Sequence, residues 1–295
     1  MTKNATVKKT VPELSPGEKR RLRSHFGFSR APFSKHMWAA NMFDSGCQRE
    51  LLAGLNMWIE LKGISLATGP SGVGKSISLR RFVQTLDESR YTVIDFSYLP
   101  TTLTGFLRSL NRKLGLPMRL HGADLFDQAQ RHLVAYEAEH ATHPVLLIDD
   151  AEGLTVPVID ALRRLTAYQM DGEDHFSLLL SGTDDLLKTL RHPGLEPLRS
   201  RIGYAQHLRP FALEDTRNYI RYHLERADTD ARLFSDEANK RIFQASQGRP
   251  RSINQLATQA LIQAAVHGRD GIDGDFMTHL IAAHPLYQHA PGAQR

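Results

Sequence analysis

The chain has 295 residues, of which 41% are hydrophobic and 23% charged, with a net charge of +5. That length holds one large domain or two ordinary ones, and the composition is that of a soluble globular protein. No apolar run approaches the roughly 20 residues of a membrane span, and the N-terminus lacks the apolar core of a secretion signal, so no membrane partner is expected. The single cysteine, Cys47, excludes an intramolecular disulfide and reads as a small buried hydrophobe in a reducing, cytoplasmic compartment. His140 and His143 lie close together, but no cysteine or carboxylate set completes a zinc pattern around them. The charge excess is localised: residues 1–24 carry seven Lys or Arg against Glu13 and Glu18, and the remainder balances. With Pro12, Pro16 and Gly17 and few large apolar residues, 1–24 is expected to be a flexible basic arm, serving either as a contact for phosphate backbones or as a solubilising tail.

In chain order, residues 26–43 are aromatic and punctuated by Gly and Pro, and read as an ordered loop. Residues 47–61 place Leu51, Leu52, Leu55, Trp58 and Ile59 at helical spacing, and Lys62-Gly63 ends that helix. A strand over 64–68 precedes a Gly-rich loop, and a helix over 77–86 follows it. Residues 91–96 are β-branched and aromatic and predict a second strand. Helices are expected over 102–114, closed by Gly115, and over 123–140. After Pro144 the continuous apolar run 145–148 suits a strand buried on both faces of a parallel sheet. A helix over 156–170 tolerates Pro157 in its first turn. Asp171-Gly172 then turns the chain into a buried strand over 176–180, and 205–208 is a weaker last strand. Strands alternating with helices predict an α/β domain with a parallel sheet flanked by helices. From residue 211 the strands stop. Helices over 213–227, 235–246, 251–267 and 275–284 predict a smaller all-helical C-terminal lid, with start signals at Ser235-Asp236-Glu237 and Asp273-Gly274-Asp275. The expected organisation is a basic arm over 1–24, an α/β nucleotide-binding domain over 25–210, a helical lid over 211–285 and a disordered tail over 286–295.

The Gly-rich loop reads Gly69-Pro70-Ser71-Gly72-Val73-Gly74-Lys75-Ser76, a Gly, four free positions, then Gly-Lys-Ser. This pattern holds a nucleoside triphosphate: glycines turn backbone N–H groups inward around phosphates, and the following helix N-terminus adds partial positive charge. Lys75 reaches the β and γ phosphates, and the Ser76 hydroxyl ligates Mg²⁺. The strand Val145-Leu146-Leu147-Ile148 ends in Asp149-Asp150, an acidic strand end of Walker B type. Asp149 is the expected second Mg²⁺ ligand, and its strand is expected to lie beside the phosphate-loop strand. Asp150 occupies the position that polarises the attacking water, one methylene shorter than the usual Glu, so ATP binding with slow hydrolysis is expected. Glu152 could replace it only if the strand end bends sharply. Ser181 or Thr183, at the end of the fourth strand, would touch the γ-phosphate or the water. Arg199, Arg201 and Arg209 flank the last strand. Arg201 is the first candidate, and Arg199 the second, for a guanidinium supplied to a neighbouring subunit's nucleotide. In Gly248-Arg249-Pro250-Arg251, Arg251 falls in the first turn of a helix, where the dipole disfavours a cation, so a bound phosphate is its expected partner.

These elements in this order resemble the AAA+ ATPases, and within them the ExeA/GspA-like family. The residues that carry the likeness are Phe26-Gly27-Phe28 with Pro32-Phe33, residues 69–76, Leu147-Ile148-Asp149-Asp150-Ala151, Leu162-Arg163-Arg164-Leu165-Thr166, Leu180-Ser181-Gly182, Arg201-Ile202 and Gly248-Arg249-Pro250-Arg251. The chain departs at Asp150, where that family usually has Glu, and at Glu152, where Gln or His is usual. The resemblance implies a P-loop NTPase (AAA+) fold, ATP and Mg²⁺ as cofactors, and two settings. Stand-alone members resemble TnsC- and MuB-type transposition ATPases, which form ATP-dependent oligomers on duplex DNA and recruit a transposase. Secretion-pathway members assist envelope assembly. The first setting is the expectation here. It implies a homo-oligomer, ring or helical filament, on sequence-nonspecific duplex DNA, with a transposase or other recombination protein as partner. Candidate DNA contacts are Lys9, Arg20, Arg21 and Arg23 in the arm, with Arg112 and Lys113 at a helix end; Arg108, Arg163 and Arg164 are further helix-end groups.

Overall fold

The computed structural model describes residues 24–34, 42–96, 99–166 and 174–287. The chain divides into two compact units, one comprising Trp38–Phe211 with Arg249–Arg251, the other Met1–Met37, Ala212–Gly248 and Ser252–Arg295. The described residues 25–34 therefore group with the helices, not with the α/β unit where the sequence reading put them.

In the α/β unit the elements run α1 (Gly46–Leu61), β1 (Ile64–Thr68), α2 (Lys75–Thr85), β2 (Tyr91–Asp95), α3 (Leu103–Lys113), α4 (Gly122–His140), β3 (His143–Ile148), α5 (Val156–Thr166), β4 (Ser177–Gly182), α6 (Asp184–Leu190), α7 (Glu196–Arg199) and β5 (Ile202–His207). The sheet order is β2-β3-β4-β1-β5, and every pair is parallel. One expectation is corrected here. β1 pairs with β4 and β5, so β4 separates the phosphate-loop strand from the strand ending at Asp149. Strand order is a long-range property, and continuous apolar runs such as 145–148 and 178–180 do not distinguish one central strand from another.

Burial follows that order. β1, β3 and β4 are buried at every position, whereas the edge strand β5 alternates half-buried and exposed residues. Successive residues of the central strands feed opposite layers. Leu146 and Ile148 of β3 and Leu178 and Leu180 of β4 pack with Phe106 of α3, Leu133 of α4 and Leu162 of α5. Val145, Leu147 and Leu179 pack with Leu51, Leu55 and Trp58 of α1 and Leu79 and Phe82 of α2. Each such side chain contributes about 1.5–3 kcal/mol by leaving water. Trimming Leu146, which is fully buried, to Ala would leave a void costing about 2–5 kcal/mol. The polar ends of three buried strands thus emerge together at one edge, on a base rigid enough to hold charged side chains.

The short helices α6 and α7 lie where the sequence suggested none. Seven and four residues are too few for a visible 3.6-residue period.

The second unit contains α8 (Leu213–Glu225), α9 (Asp236–Ser246), most of α10 (Pro250–Val266) and α11 (Gly274–Ala283). The expected starts are real caps: Ser235 Oγ accepts from Ala238 N at 3.1 Å, and Asp273 Oδ1 from Phe276 N at 2.8 Å. A parallel bridge between Phe234 and Ile272 joins the segments before α9 and α11. The Phe26–Phe33 stretch is fastened to α8 and its following turn: Ser29 N donates to Ala227 O at 3.0 Å, Thr229 Oγ1 to Phe26 O at 2.8 Å, and Phe33 packs 5.3 Å from the His223 ring.

Candidate functional site

The site starts where β1 ends. Gly69 has φ 149°, and a Cβ there would sit 2.4 Å from the Leu208 carbonyl oxygen, so no side chain fits. Gly74, at φ 107°, immediately precedes α2 and leaves that helix without a side-chain cap, with no acidic residue in its first turn. The helix therefore begins with unclaimed N–H groups facing the loop. Val73 is buried in the α1–α2 layer and anchors the loop from below.

Lys75 is only 6% exposed. Its Nζ donates to Gly69 O at 2.7 Å and Pro70 O at 3.2 Å, so the ammonium lies in the hollow of its own loop. Burial pushes its pKa down, and the charges of Glu152, Asp149 and Asp150 oppose that shift. Ser76, next along α2, is exposed.

At the end of β3, Asp149 Oδ1 accepts from Ser181 Oγ at 2.8 Å and from Asp150 N at 3.0 Å. Ser181 is fully buried, so its hydroxyl anchors Asp149. Asp150 adopts a left-handed conformation, φ 53° and ψ 37°, and its side chain is exposed. Partial burial of its carboxyl, reinforced by Asp149 and Glu152, raises its pKa above the ordinary value against the pull of Lys75 and Arg251. A 3₁₀ turn over Ala151–Gly153 follows the strand. Glu152 Oε2 accepts from Thr183 N at 3.1 Å, at the end of β4.

Arg251 joins the loop directly. Its backbone N–H donates to Gly72 O at 3.2 Å, and Nη1 donates to Ser71 Oγ at 3.4 Å. Its charge reaches both Lys75 and Asp150. Arg201 is placed otherwise. Ile202 pairs with Ile64 and His207 with Thr68, so Arg201 lies at the opposite end of the sheet from the phosphate loop. Within one chain it is not brought to the nucleotide site. Arg199, the second candidate, uses Nη1 on the carbonyls of Leu190 and His192, which closes the α6 end. Arg112 and Lys113 are exposed in the last turn of α3, with Lys113 Nζ 3.4 Å from Asp95 Oδ1. Arg163 and Arg164 both pair with Asp160. Lys9, Arg20, Arg21 and Arg23 lie outside the described residues.

Two supports went unread in the sequence. Gln48, 4% exposed in the first turn of α1, has its Nε2 2.6 Å from where a Gly74 Cβ would be, so it backs the loop. The spacing Ser45-x-x-Gln48 is a capping-box pattern and was its available signal. Thr68 Oγ1 and His207 Nδ1 are 3.1 Å apart beside the loop.

The donor set fits ATP and Mg²⁺. Residues 69–76 would hold the phosphates, Ser76 and Asp149 the metal. Mg²⁺ when bound supplies charge neutralisation at the transferring phosphoryl group.

A family model described as "AAA domain" matches residues 59–190. The general secretion pathway protein A of Aeromonas hydrophila is 31% identical over 251 residues, covering 82% of this chain and 45% of that relative. The chain therefore spans less than half the length of this curated relative. Among solved structures, Cdc6p from Pyrobaculum aerophilum aligns with TM-score 0.61 at 17% identity, over 81% of this chain and 68% of the other. Drosophila ORC bound to DNA aligns with TM-score 0.61 at 13% identity, over 96% and 70%. The Aeropyrum pernix ORC1 protein in complex with DNA aligns with TM-score 0.57 at 14% identity, over 85% and 73%. The α/β unit has the AAA+ P-loop NTPase fold, and the sequence match supports an ATPase of the ExeA/GspA type.

Proposed function

We propose that the chain is an AAA+ ATPase whose Mg²⁺-ATP site governs assembly with further copies of itself on duplex DNA, as an accessory regulator of transposition. The observation that carries the nucleotide site is the convergence of Lys75, Asp149 and Arg251 on one loop. In this reading residues 69–76 bind the phosphates, Asp149 and Ser76 hold the metal, and Arg251 reports on loop occupancy. Asp150 is the nearest counterpart of the water-polarising Glu, and its short side chain limits turnover. Arg201 stands at the end of the sheet away from its own loop, and in this reading it acts on a neighbour's nucleotide as an arginine finger. A heterologous interface of that kind gives a ring or a helix. Contacts to DNA come from the basic residues of 1–24 and from Arg112 and Lys113, reading phosphates with little base readout. Two of the structural neighbours are themselves DNA complexes, which lends this reading support by analogy.

A second reading, an ATPase assisting secretion or envelope assembly, draws on the similarity to general secretion pathway protein A. No helix among the described residues is long and apolar enough to cross a membrane.

Filter binding to duplex DNA with and without ATP, at 50 and 200 mM salt, separates the two. The DNA reading expects ATP-dependent binding that weakens steeply with salt, by roughly 10³-fold for six or more phosphate contacts. Absent or ATP-independent binding selects the second reading.

A further inference from the structure

The backbone ladder between β3 and β4 ends at Ile148 opposite Leu180. Past that point two side chains continue the link. Ser181 Oγ donates to Asp149 Oδ1 at 2.8 Å, and Thr183 N donates to Glu152 Oε2 at 3.1 Å. The second bond depends on three local features. Asp150 must enter the left-handed region, Ala151 and Leu154 must be buried to pin the turn, and β4 must end in glycine. A Cβ on Gly182 would come within 2.7 Å of Glu152 Oε2. Strain at Asp150 and the absence of a side chain at residue 182 together allow one carboxylate to reach one N–H.

We propose that Glu152 is a positioning residue of the nucleotide site: by accepting the Thr183 N–H it locks the end of β4 to the turn after β3 and so keeps Ser181 on Asp149, in the arrangement that hydrolysis needs. This rests on the ATPase reading above and specifies how the metal-binding carboxylate is held. Asp149 is attached to a strand end, and β4 lies between that end and β1. Any slack at residues 181–183 is therefore slack between Asp149 and the phosphate loop. The bond needs an acceptor oxygen at that reach, which a carboxylate or a side-chain amide of the same length both supply. Residue 152 acts through Thr183 and Ser181, so its loss changes the geometry of turnover and leaves the loop that binds nucleotide in place.

Three variants of the full chain separate the bond from the charge. Glu152→Gln keeps an acceptor of the same length and removes the charge. Glu152→Asp keeps the charge and falls one methylene short. Glu152→Ala removes both. Hydrogen exchange of the nucleotide-free protein, resolved at the Thr183 amide, is the first measurement. Exchange is expected to quicken about tenfold or more in E152A and E152D and to stay near wild type in E152Q. In steady-state ATP hydrolysis kcat is expected to fall about 10- to 100-fold in E152A and E152D, with KM within about threefold and E152Q retaining most of the rate. Unchanged Thr183 exchange in both E152A and E152D overturns the proposal, as does an E152Q as defective as E152A. If the wild-type chain binds ATP and never hydrolyses it, the ATPase reading fails by that result. The exchange arm, which needs no turnover, still decides the role of Glu152.

Discussion

The two ends of the sheet both bury charged and polar groups, and they treat them in opposite ways. At the N-terminal end, His143 is 3% exposed and closes a network: Nε2 lies 3.0 Å from Ser177 Oγ, Nδ1 3.2 Å from Glu137 Oε2, and Lys62 Nζ donates to the same Glu137 oxygen at 3.0 Å. Neighbours complete each group. At the C-terminal end, Asp149, Asp150 and Glu152 surround Lys75 electrostatically, yet among the described residues no ion pair joins Lys75 to any of them. Its ammonium turns to the carbonyls of Gly69 and Pro70 instead. A closed network stabilises a fold; charges held near each other and left uncombined are arranged for a ligand. A Ser-His-Glu row at the first end looks like a nucleophile set, but Ser177 is fully buried, which leaves it structural.

The largest test of this contrast is Lys75→Ala. Nucleotide affinity is expected to fall by at least about 100-fold, with loss of any ATP-dependent assembly and little change in thermal stability, because the buried ammonium is itself costly. Equilibrium binding of a fluorescent ATP analogue checks it. Retained assembly would mean that ATP is not the organising ligand.

Acid comes next. Burial lowers the pKa of His143, and lowers that of His223 in the helical unit to about 4. The His223 imidazole stays neutral in the folded chain down to about pH 4 and takes up a proton when unfolded, and the His143 shift has the same sign, so the unfolded state binds more protons below the ordinary pKa near 6.5. Stability is therefore full above about pH 6.5 and falls as pH drops from there to about 4, by roughly 3 kcal/mol for His223 alone. Denaturant midpoints across that range should show the loss, and His223→Phe should remove most of the slope. A flat profile in the wild type would break the account.

Ser177→Ala leaves the His143 Nε2 buried without its partner. The expected cost is about 1–3 kcal/mol in unfolding free energy, with nucleotide affinity unchanged because the phosphate loop follows the neighbouring strand β1 at the other end of the sheet. Altered affinity would show the two ends to be coupled. The smallest effect is expected at Lys62→Met, since Lys62 and Glu137 are 38% and 52% exposed. Less than about 1 kcal/mol should be lost.

Much of the nucleotide site could be read from local pattern. Residues 69–76 and 145–150 each carry their geometry within a few positions, because a loop of glycines before a helix, and an apolar strand ending in acid, need nothing distant to be recognised. The same holds for Ser235 and Asp273, whose caps depend on a residue three positions on. The α6 segment was hidden because seven residues do not complete two helical turns.

The amino-acid sequence by itself determined that the chain alternates parallel strands with helices, ends in a helical unit and carries a phosphate loop with an acidic strand end. Tertiary structure decided which strand stands beside the loop, that Arg251 bonds to Gly72 across 179 positions, and that Glu152 turns back to Thr183. The reason is range. Periodicity and turn chemistry act between neighbours, whereas strand order and the meeting of charges from separate elements are settled only when the core closes and every buried polar group must find its partner.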